Sequence, residues 1–302
     1  MPITGAPPAV NAYLARLDSV EGWFTDTDFA MFELFLELQE EDALRGDIVE
    51  IGAFHGKSAI LLGFHRRENE RVVICDLFER IIDLLPEDQR GWYDGLTQAQ
   101  FEANFNRFHK QPATVHAELS SALSGHLQDA SARFAHIDGD HDYAVVLDDV
   151  RATRRYLVPD GLVVCDDIAT VHSPGVAAAV WELVANEGLT PLVTTSYKLY
   201  ATWGTPQPRT LDRLSDLIMR RTTESVVTKK IMGHEVLVVG TGSPRGAAGR
   251  PIFLTQLERV RAAVGSVRAS WTHTEALNRE AAKFERATGR PARRLRHEGP
   301  TS

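Results

Sequence analysis

Three short segments of this chain carry residue types that can do chemistry, and each stands where an apolar run ends. The most specific is His136-Ile137-Asp138-Gly139-Asp140-His141-Asp142-Tyr143, followed by Pro159-Asp160-Gly161 and then Cys165-Asp166-Asp167. Carboxylates that follow two neighbouring strands of a parallel sheet share one edge and can converge on a single cation. Oxygen donors alone select a hard ion, Mg2+ above all, with Mn2+ or Ca2+ as alternatives. Such an ion lowers the pKa of a coordinated hydroxyl and makes it nucleophilic near neutral pH. His141 follows Asp138 closely and can take the proton, since an imidazole titrates at about 6.5. The plainer reading has Asp138 and Asp140 shaping a turn and Asp167 capping a helix. Asp138-Gly139-Asp140 also matches the Asp-x-Asp with which nucleotide-sugar glycosyltransferases hold a metal-bound diphosphate.

The second segment is Val49-Glu50-Ile51-Gly52-Ala53-Phe54-His55-Gly56-Lys57-Ser58. A turn containing Gly52 and Gly56, leading from a parallel strand into a helix, lets backbone N–H groups approach a ligand closely. It is not the G-x-G-x-x-G that receives a pyrophosphate. Glu50 stands just before the first glycine, where a carboxylate repels a pyrophosphate but suits an ammonium or a hydroxyl. The third segment is Asp76, which ends Val72-Val73-Ile74-Cys75. An acid closing the second strand can accept the hydroxyls of a ribose, or it can simply cap a helix.

The elements that must position these groups follow from hydrophobic periodicity. Apolar runs at Ile48–Gly52, Arg71–Leu77, Ala113–Ala117, Arg133–Asp138 and Gly161–Cys165 predict strands buried on both faces. Helical patterns alternate with them. Thr97 opens one that carries Phe101, Phe105 and Phe108, and Tyr143, Val146, Leu147 and Val150 line another. A third spans about 174–186 and precedes a hairpin of Thr190–Thr194 with Lys198–Trp203. Before this core, Asp26 can cap a helix bearing Phe29, Phe32, Phe35 and Leu36. After it come a helix with Leu211, Leu214, Leu217 and Ile218 and a hairpin turning at Met232-Gly233-His234. Two helices follow, one around Leu257–Val264 and one from Thr272, and then a Pro/Arg-rich tail from about residue 290. The order predicts an α/β, doubly wound, mostly parallel seven-stranded sheet over residues 48–204. It is preceded by a helical segment, 1–47, and followed by an extension, 205–302. Residues Arg80–Leu96, with Trp92 and Tyr93, lie at the ligand edge and can serve as a lid or equally as core or a subunit contact; Trp23 and Phe24, before the core, carry the same two readings.

In chain order, E-x-G-x-x-x-G-x-S, the acid closing the second strand, I-D-G-D-H-x-Y, and L-x-P-x-G followed by D-D resemble a class I S-adenosylmethionine-dependent methyltransferase. The resemblance is nearest to the metal-dependent O-methyltransferases that include macrocin O-methyltransferase and related natural-product sugar O-methyltransferases. It is more distant to catechol O-methyltransferase. It spans about residues 20–204 and leaves out the last hundred. By resemblance the fold is Rossmann-like and the cofactors are S-adenosylmethionine and Mg2+. Glu50, Gly52, Gly56 and Ser58 then surround the methionine part, Asp76 holds the ribose and Ser120 lies near the adenine. Asp138, Asp166 and Asp167 match the metal ligands, with Asp138 facing both cofactor and reaction. His141 matches the general base. Where the family usually has P-G-G, this chain has Pro159-Asp160-Gly161. The implied acceptor is a hydroxyl of a sugar or other polyhydroxylated small molecule.

Composition is consistent with a soluble globular protein of one large or two small domains: 302 residues, 43% hydrophobic and 25% charged. No apolar stretch is long enough to span a bilayer, and the first twenty residues lack the pattern of a signal peptide. Cys75 and Cys165 sit in apolar runs, as small buried residues of a reducing cytoplasm do. The net charge of −8 is uneven: residues 1–204 hold 15 basic and 32 acidic residues, and residues 205–302 hold 18 and 9. The acidic body argues against nucleic acid as a partner. The basic, helical extension is expected to be a solvated or subunit-contacting face, which suggests a homo-oligomer.

Overall fold

Side chains along a strand point alternately to the two faces of a sheet, and here both faces are covered. In β1 (Asp47–Ile51), Ile48 enters one core while Val49 and Ile51 enter the other; in β2 (Val72–Cys75), Val72 and Ile74 part from Val73 and Cys75 in the same way. The computed structural model describes residues 7–85, 87–206, 210–222 and 224–240. The sheet continues with β3 (Thr114–His116), β4 (Ala132–Ile137), β5 (Leu157–Cys165), β6 (Leu189–Thr194), β7 (Leu199–Trp203), β8 (Ser225–Ile231) and β9 (His234–Gly240). One core takes in helices α1 (Pro8–Leu14), α2 (Asp26–Glu41), α3 (Lys57–Phe64), α4 (Gln98–Asn106) and α8 (Thr210–Arg221). The opposite core holds α5 (Ser120–Leu123), α6 (Tyr143–Tyr156) and α7 (Pro174–Asn186). Both cysteines are free and buried. Among the described residues, no helix is long and apolar enough to cross a membrane.

The strand order is β3-β2-β1-β4-β5-β7-β6-β9-β8. Strands β1 to β5 pair in parallel, β7 is antiparallel to both β5 and β6, and β9 joins β6 in parallel. The sheet therefore has nine strands where the sequence predicts seven. The hairpin turning at Met232-Gly233 extends the sheet because Val236, Leu237 and Val239 are buried in its core. Of the basic residues after Gly204, Lys229 and Lys230 of β8 are exposed, and twelve lie beyond residue 240, outside the described residues. The helices expected around Leu257–Val264 and from Thr272, and the tail from 290, lie outside the described residues.

Two local details differ from expectation. The cap of α2 is Thr25, whose Oγ1 accepts from the Asp28 backbone N–H (3.2 Å) while Asp28 Oδ2 accepts from that of Thr25 (2.9 Å). Asp26 instead lies in the first turn, where a negative charge suits the helix dipole. At the P-D-G turn, Asp160 takes φ +62°, a left-handed conformation that favours glycine and that Asp tolerates better than most residues.

Beneath α2 and α3 lies a buried polar cluster. Arg133 is fully buried, donating to Glu70 (3.1 and 3.2 Å), Gln39 Oε1 (2.8 Å) and the His65 carbonyl (2.7 Å). The ring nitrogens of His65 face Glu33 (2.5 Å) and Glu40 (3.0 Å). Burial alone would lower the His65 pKa, but the two carboxylates outweigh it and hold it at about 9. A folded-state pKa raised above the unfolded value contributes its full stability below the unfolded pKa and loses it as pH rises through the folded one. Urea titrations should therefore show stability falling by about 2–3 kcal/mol between about pH 6.5 and 9. His65→Asn should remove most of that slope; an unchanged slope would rule out His65 as its source.

Candidate active site

From β1 the chain turns to β2 on one side and later returns to β4 on the other, so the segments that follow β1 and β4 diverge to opposite faces. The carboxyl ends of these strands are the place where such a sheet opens a crevice. The opening is narrow. Gly52 has φ +80°, and a Cβ added there would lie 2.0 Å from the Asp138 carbonyl oxygen. Asp138 N–H in turn donates to the Ile51 carbonyl (2.8 Å). Gly56, at φ +93°, caps α3 with its Cα facing the Phe101 ring.

Asp76 holds this turn in place. Its Oδ2 accepts from the backbone N–H groups of Ala53 (2.7 Å) and Phe54 (2.9 Å), and its Oδ1 from that of Phe78 (2.6 Å). Burial pushes the Asp76 carboxyl up and the three N–H groups offset part of that rise. A carboxylate has about four acceptor positions, so roughly one remains for a ligand. Glu50 is fully buried: Oε1 accepts from Ser58 Oγ (2.5 Å) and meets His136 Nδ1 (2.7 Å), while Oε2 has no hydrogen-bond partner among the described residues. Strand register sets the second contact, because Glu50 and His136 are opposite one another in β1 and β4. Ser120, expected near adenine, is bonded to Asp149 of α6, whose carboxyl burial raises to about 6.

The three carboxylates expected to share one cation divide into two groups. Asp138 and Asp166 share a hydrogen bond, and burial, then the charge of Asp166, push the Asp138 carboxyl well up. Burial would also raise Asp166, but the ammonium of Lys198 and the nearby His136 hold it low. Lys198 Nζ pairs with Asp166 Oδ2 inside the protein, while Asp166 Oδ1 accepts from the Asp167 N–H (2.8 Å). Asp167 takes φ +56°, which turns its side chain away from that of Asp166. It faces His141 instead, Oδ2 lying 3.0 Å from Nε2, with His172 Nε2 at 4.0 Å.

Metal ligation can be judged from these donors. His136, Asp138 and Asp166 are close enough to enclose an ion. Mg2+, however, needs a near-octahedral set of oxygens, and both oxygens of Asp166 are engaged, one by an ammonium. The arrangement does not fit Mg2+. His141, Asp167 and His172 form a second, more exposed group. Two imidazoles with one carboxylate suit a borderline transition ion better than Mg2+.

His141 Nε2–H donates to Asp167 in the neutral ring, which leaves Nδ1 as the free base. The bond to Asp167 raises the His141 pKa above its ordinary value, with burial opposing it. Asp138, Asp140, His141 and Asp166 line a small cavity with Val146 and Val176. Residues Phe78–Asp83 and Glu87–Tyr93 form two 3-10 turns beside it. Burial raises the Tyr93 hydroxyl pKa, and the charges of Asp76, Asp138 and Asp140 raise it further, which places that hydroxyl among the site carboxylates. Trp23 and Trp92 are each 66% exposed with rings 6.3 Å apart, and Trp23 lies 5.1 Å from the Phe54 ring. A roomier cleft of about 680 Å³ lies at the opposite edge of the sheet. Of its acids, Asp47 and Glu70 are already paired with Arg71 and Arg133.

Sequence reasoning misses Lys198 and His172. In the sequence Lys198 is simply the first residue of a strand; the available signal is a lone lysine amid apolar residues beside a strand ending in two acids. His172 follows Asp167 by five residues in a loop and carries no comparable signal.

Residues 49–168 match the sequence profile of a family described as a methyltransferase domain. No curated protein matches the chain. Among solved structures it is similar to the O-methyltransferase NovP, with 17% identity over 56% of this chain and 76% of that one and a TM-score of 0.47. It is also similar to an O-methyltransferase from Bacillus cereus in complex with SAH, with 16% identity over 66% and 92% and a TM-score of 0.46. A TDP-rhamnose 3′-O-methyltransferase of calicheamicin biosynthesis shows 15% identity over 67% and 90%, with a TM-score of 0.43. The matched segment lies within the mixed α/β, Rossmann-like sheet, from β1 to just past β5.

Proposed function

We propose that this protein is an S-adenosylmethionine-dependent O-methyltransferase acting on a hydroxyl of a sugar or other polyhydroxylated small molecule. What carries the reading is the His141–Asp167 pair, 3.0 Å apart, at the same sheet edge as the Gly52–Gly56 turn of the methyltransferase domain. Bound S-adenosylmethionine would supply an electrophilic methyl group on a positively charged sulfur. The chain's own residues supply the rest. Glu50, Asp76 and Asp140 make an acidic edge that complements a cation. Asp167 fixes the orientation of His141, and Nδ1 of His141 removes the proton of the acceptor hydroxyl. The exposed faces of Trp23 and Trp92 offer apolar surfaces on which a sugar ring can rest. The resemblance of the I-D-G-D-H-x-Y and D-D motifs to those of natural-product sugar O-methyltransferases supports a role in natural-product biosynthesis. Proton removal is assigned to His141 without Mg2+, because the Asp138–Asp166 pair does not fit that ion.

The deciding experiment is a calorimetric titration of the purified protein with S-adenosylhomocysteine. Saturable binding, followed by transfer of a labelled methyl group to at least one polyhydroxylated acceptor, is the expected outcome. Absence of binding would overturn the reading.

A further inference from the structure

We propose that Lys198 is the resident cation of the Asp138–Asp166 pair, its ammonium standing where a divalent ion would otherwise be held. Register places it there. Cys165 of β5 is opposite Leu199 of the antiparallel β7, so the next residue outward on each side, Asp166 and Lys198, meet. The Lys198 main chain is fixed as well: its N–H donates to Thr195 Oγ1 (3.0 Å) and its carbonyl accepts from Thr195 N–H (2.8 Å). With that backbone held, the stem runs inward, and the residue is only 1% exposed. The buried Phe24 ring lies 5.7 Å from Nζ and covers the ammonium.

Charge balance argues the same way. The ammonium of Lys198 already supplies a positive charge beside the Asp138–Asp166 pair. A dication entering beside Lys198 would face like-charge repulsion across a few ångströms in a poorly solvated setting. It would also have to free Asp166 Oδ2 and expel Lys198 from its apolar surroundings, and an ammonium buried without its partner is strongly disfavoured. His141, Asp167 and His172 lie outside this pair, so an ion bound by them would leave it intact.

The inference concerns the protein's own charges and stands whether or not the chain transfers methyl groups. Mn2+ titrations followed by electron paramagnetic resonance test it on the full chain. Wild type and Asp138→Asn should show the same Mn2+ affinity, or none in both, because the pair takes no ion. Lys198→Met should gain a site at least about tenfold tighter than any in the wild type, and adding Asp138→Asn should abolish it. Lys198→Arg, which keeps the positive charge, should stay at the wild-type value. A wild-type affinity that falls about fivefold or more in Asp138→Asn would overturn the proposal, as would a folded Lys198→Met that gains nothing. If Lys198→Met does not fold, the wild-type and Asp138→Asn comparison decides alone. S-adenosylhomocysteine titration of the same samples reports separately on the proposed function.

Discussion

In His141→Ala, the proposed turnover should fall by about 10²–10⁴, the usual contribution of a positioned general base, while S-adenosylhomocysteine affinity should stay within about twofold of wild type. The asymmetry follows from position. His141 faces Asp167 at the rim of the cavity, whereas the turn expected to meet the cofactor is built by Gly52, Gly56 and Asp76. The pH profile separates a base from a merely structural histidine. Because the bond to Asp167 raises the His141 pKa, the neutral, basic form accumulates only at higher pH. In the wild type kcat should therefore rise with pH and level off above that raised value. Asp167→Asn weakens the hold on the protonated ring, so the same rise should move to lower pH with a reduced plateau. A His141→Ala variant that loses S-adenosylhomocysteine binding along with turnover would show that the residue shapes the pocket instead. Stopped-flow or single-turnover measurements would then locate the defect.

Asp76→Ala acts on the other half of the site. Three backbone N–H groups, of Ala53, Phe54 and Phe78, lose their acceptor at once. Each unsatisfied donor costs about 1–3 kcal/mol where water cannot replace the partner. Partial hydration of this half-buried edge brings the expected loss of stability to about 2–4 kcal/mol. The turn between Gly52 and Gly56 then relaxes, and S-adenosylhomocysteine affinity should fall about 100-fold or more, which corresponds to roughly 2.7 kcal/mol. Asp76→Asn retains one acceptor oxygen and should be intermediate in both measurements. Urea denaturation gives the stability change and calorimetry the binding change. Wild-type affinity in Asp76→Ala would mean that Asp76 shapes the loop without bearing on the ligand.

The acids and glycines at the strand ends are legible in the sequence because a parallel sheet gathers its loops at one edge. Glu50, Gly52, Asp76, Asp138 and Asp166 are therefore bound to share that edge. The same reasoning fails for the cation, since spacing along the chain says which edge a carboxylate occupies but not which way it points. Asp166 and Asp167 are neighbours in sequence, yet the left-handed turn at Asp167 sends one to Lys198 and the other to His141. Ser120 stands at the expected end of β3, but its hydroxyl is engaged by Asp149 of α6, a contact that depends on helix packing.

What this sequence determines by itself is periodic and local: alternating apolar runs for two covered faces, the glycine turn after β1, and the acid after β2. It also contains the hairpin that enlarges the sheet, although its lysines make that segment look separate. Tertiary structure alone decided the pairings across strands, Glu50 with His136 and Asp166 with Lys198. Those contacts join residues 86 and 32 positions apart. They depend on register, which the burial of whole strand faces settles and which no local spacing encodes. Once register is set, a buried charge must accept the partner opposite it, and here that partner is an ammonium.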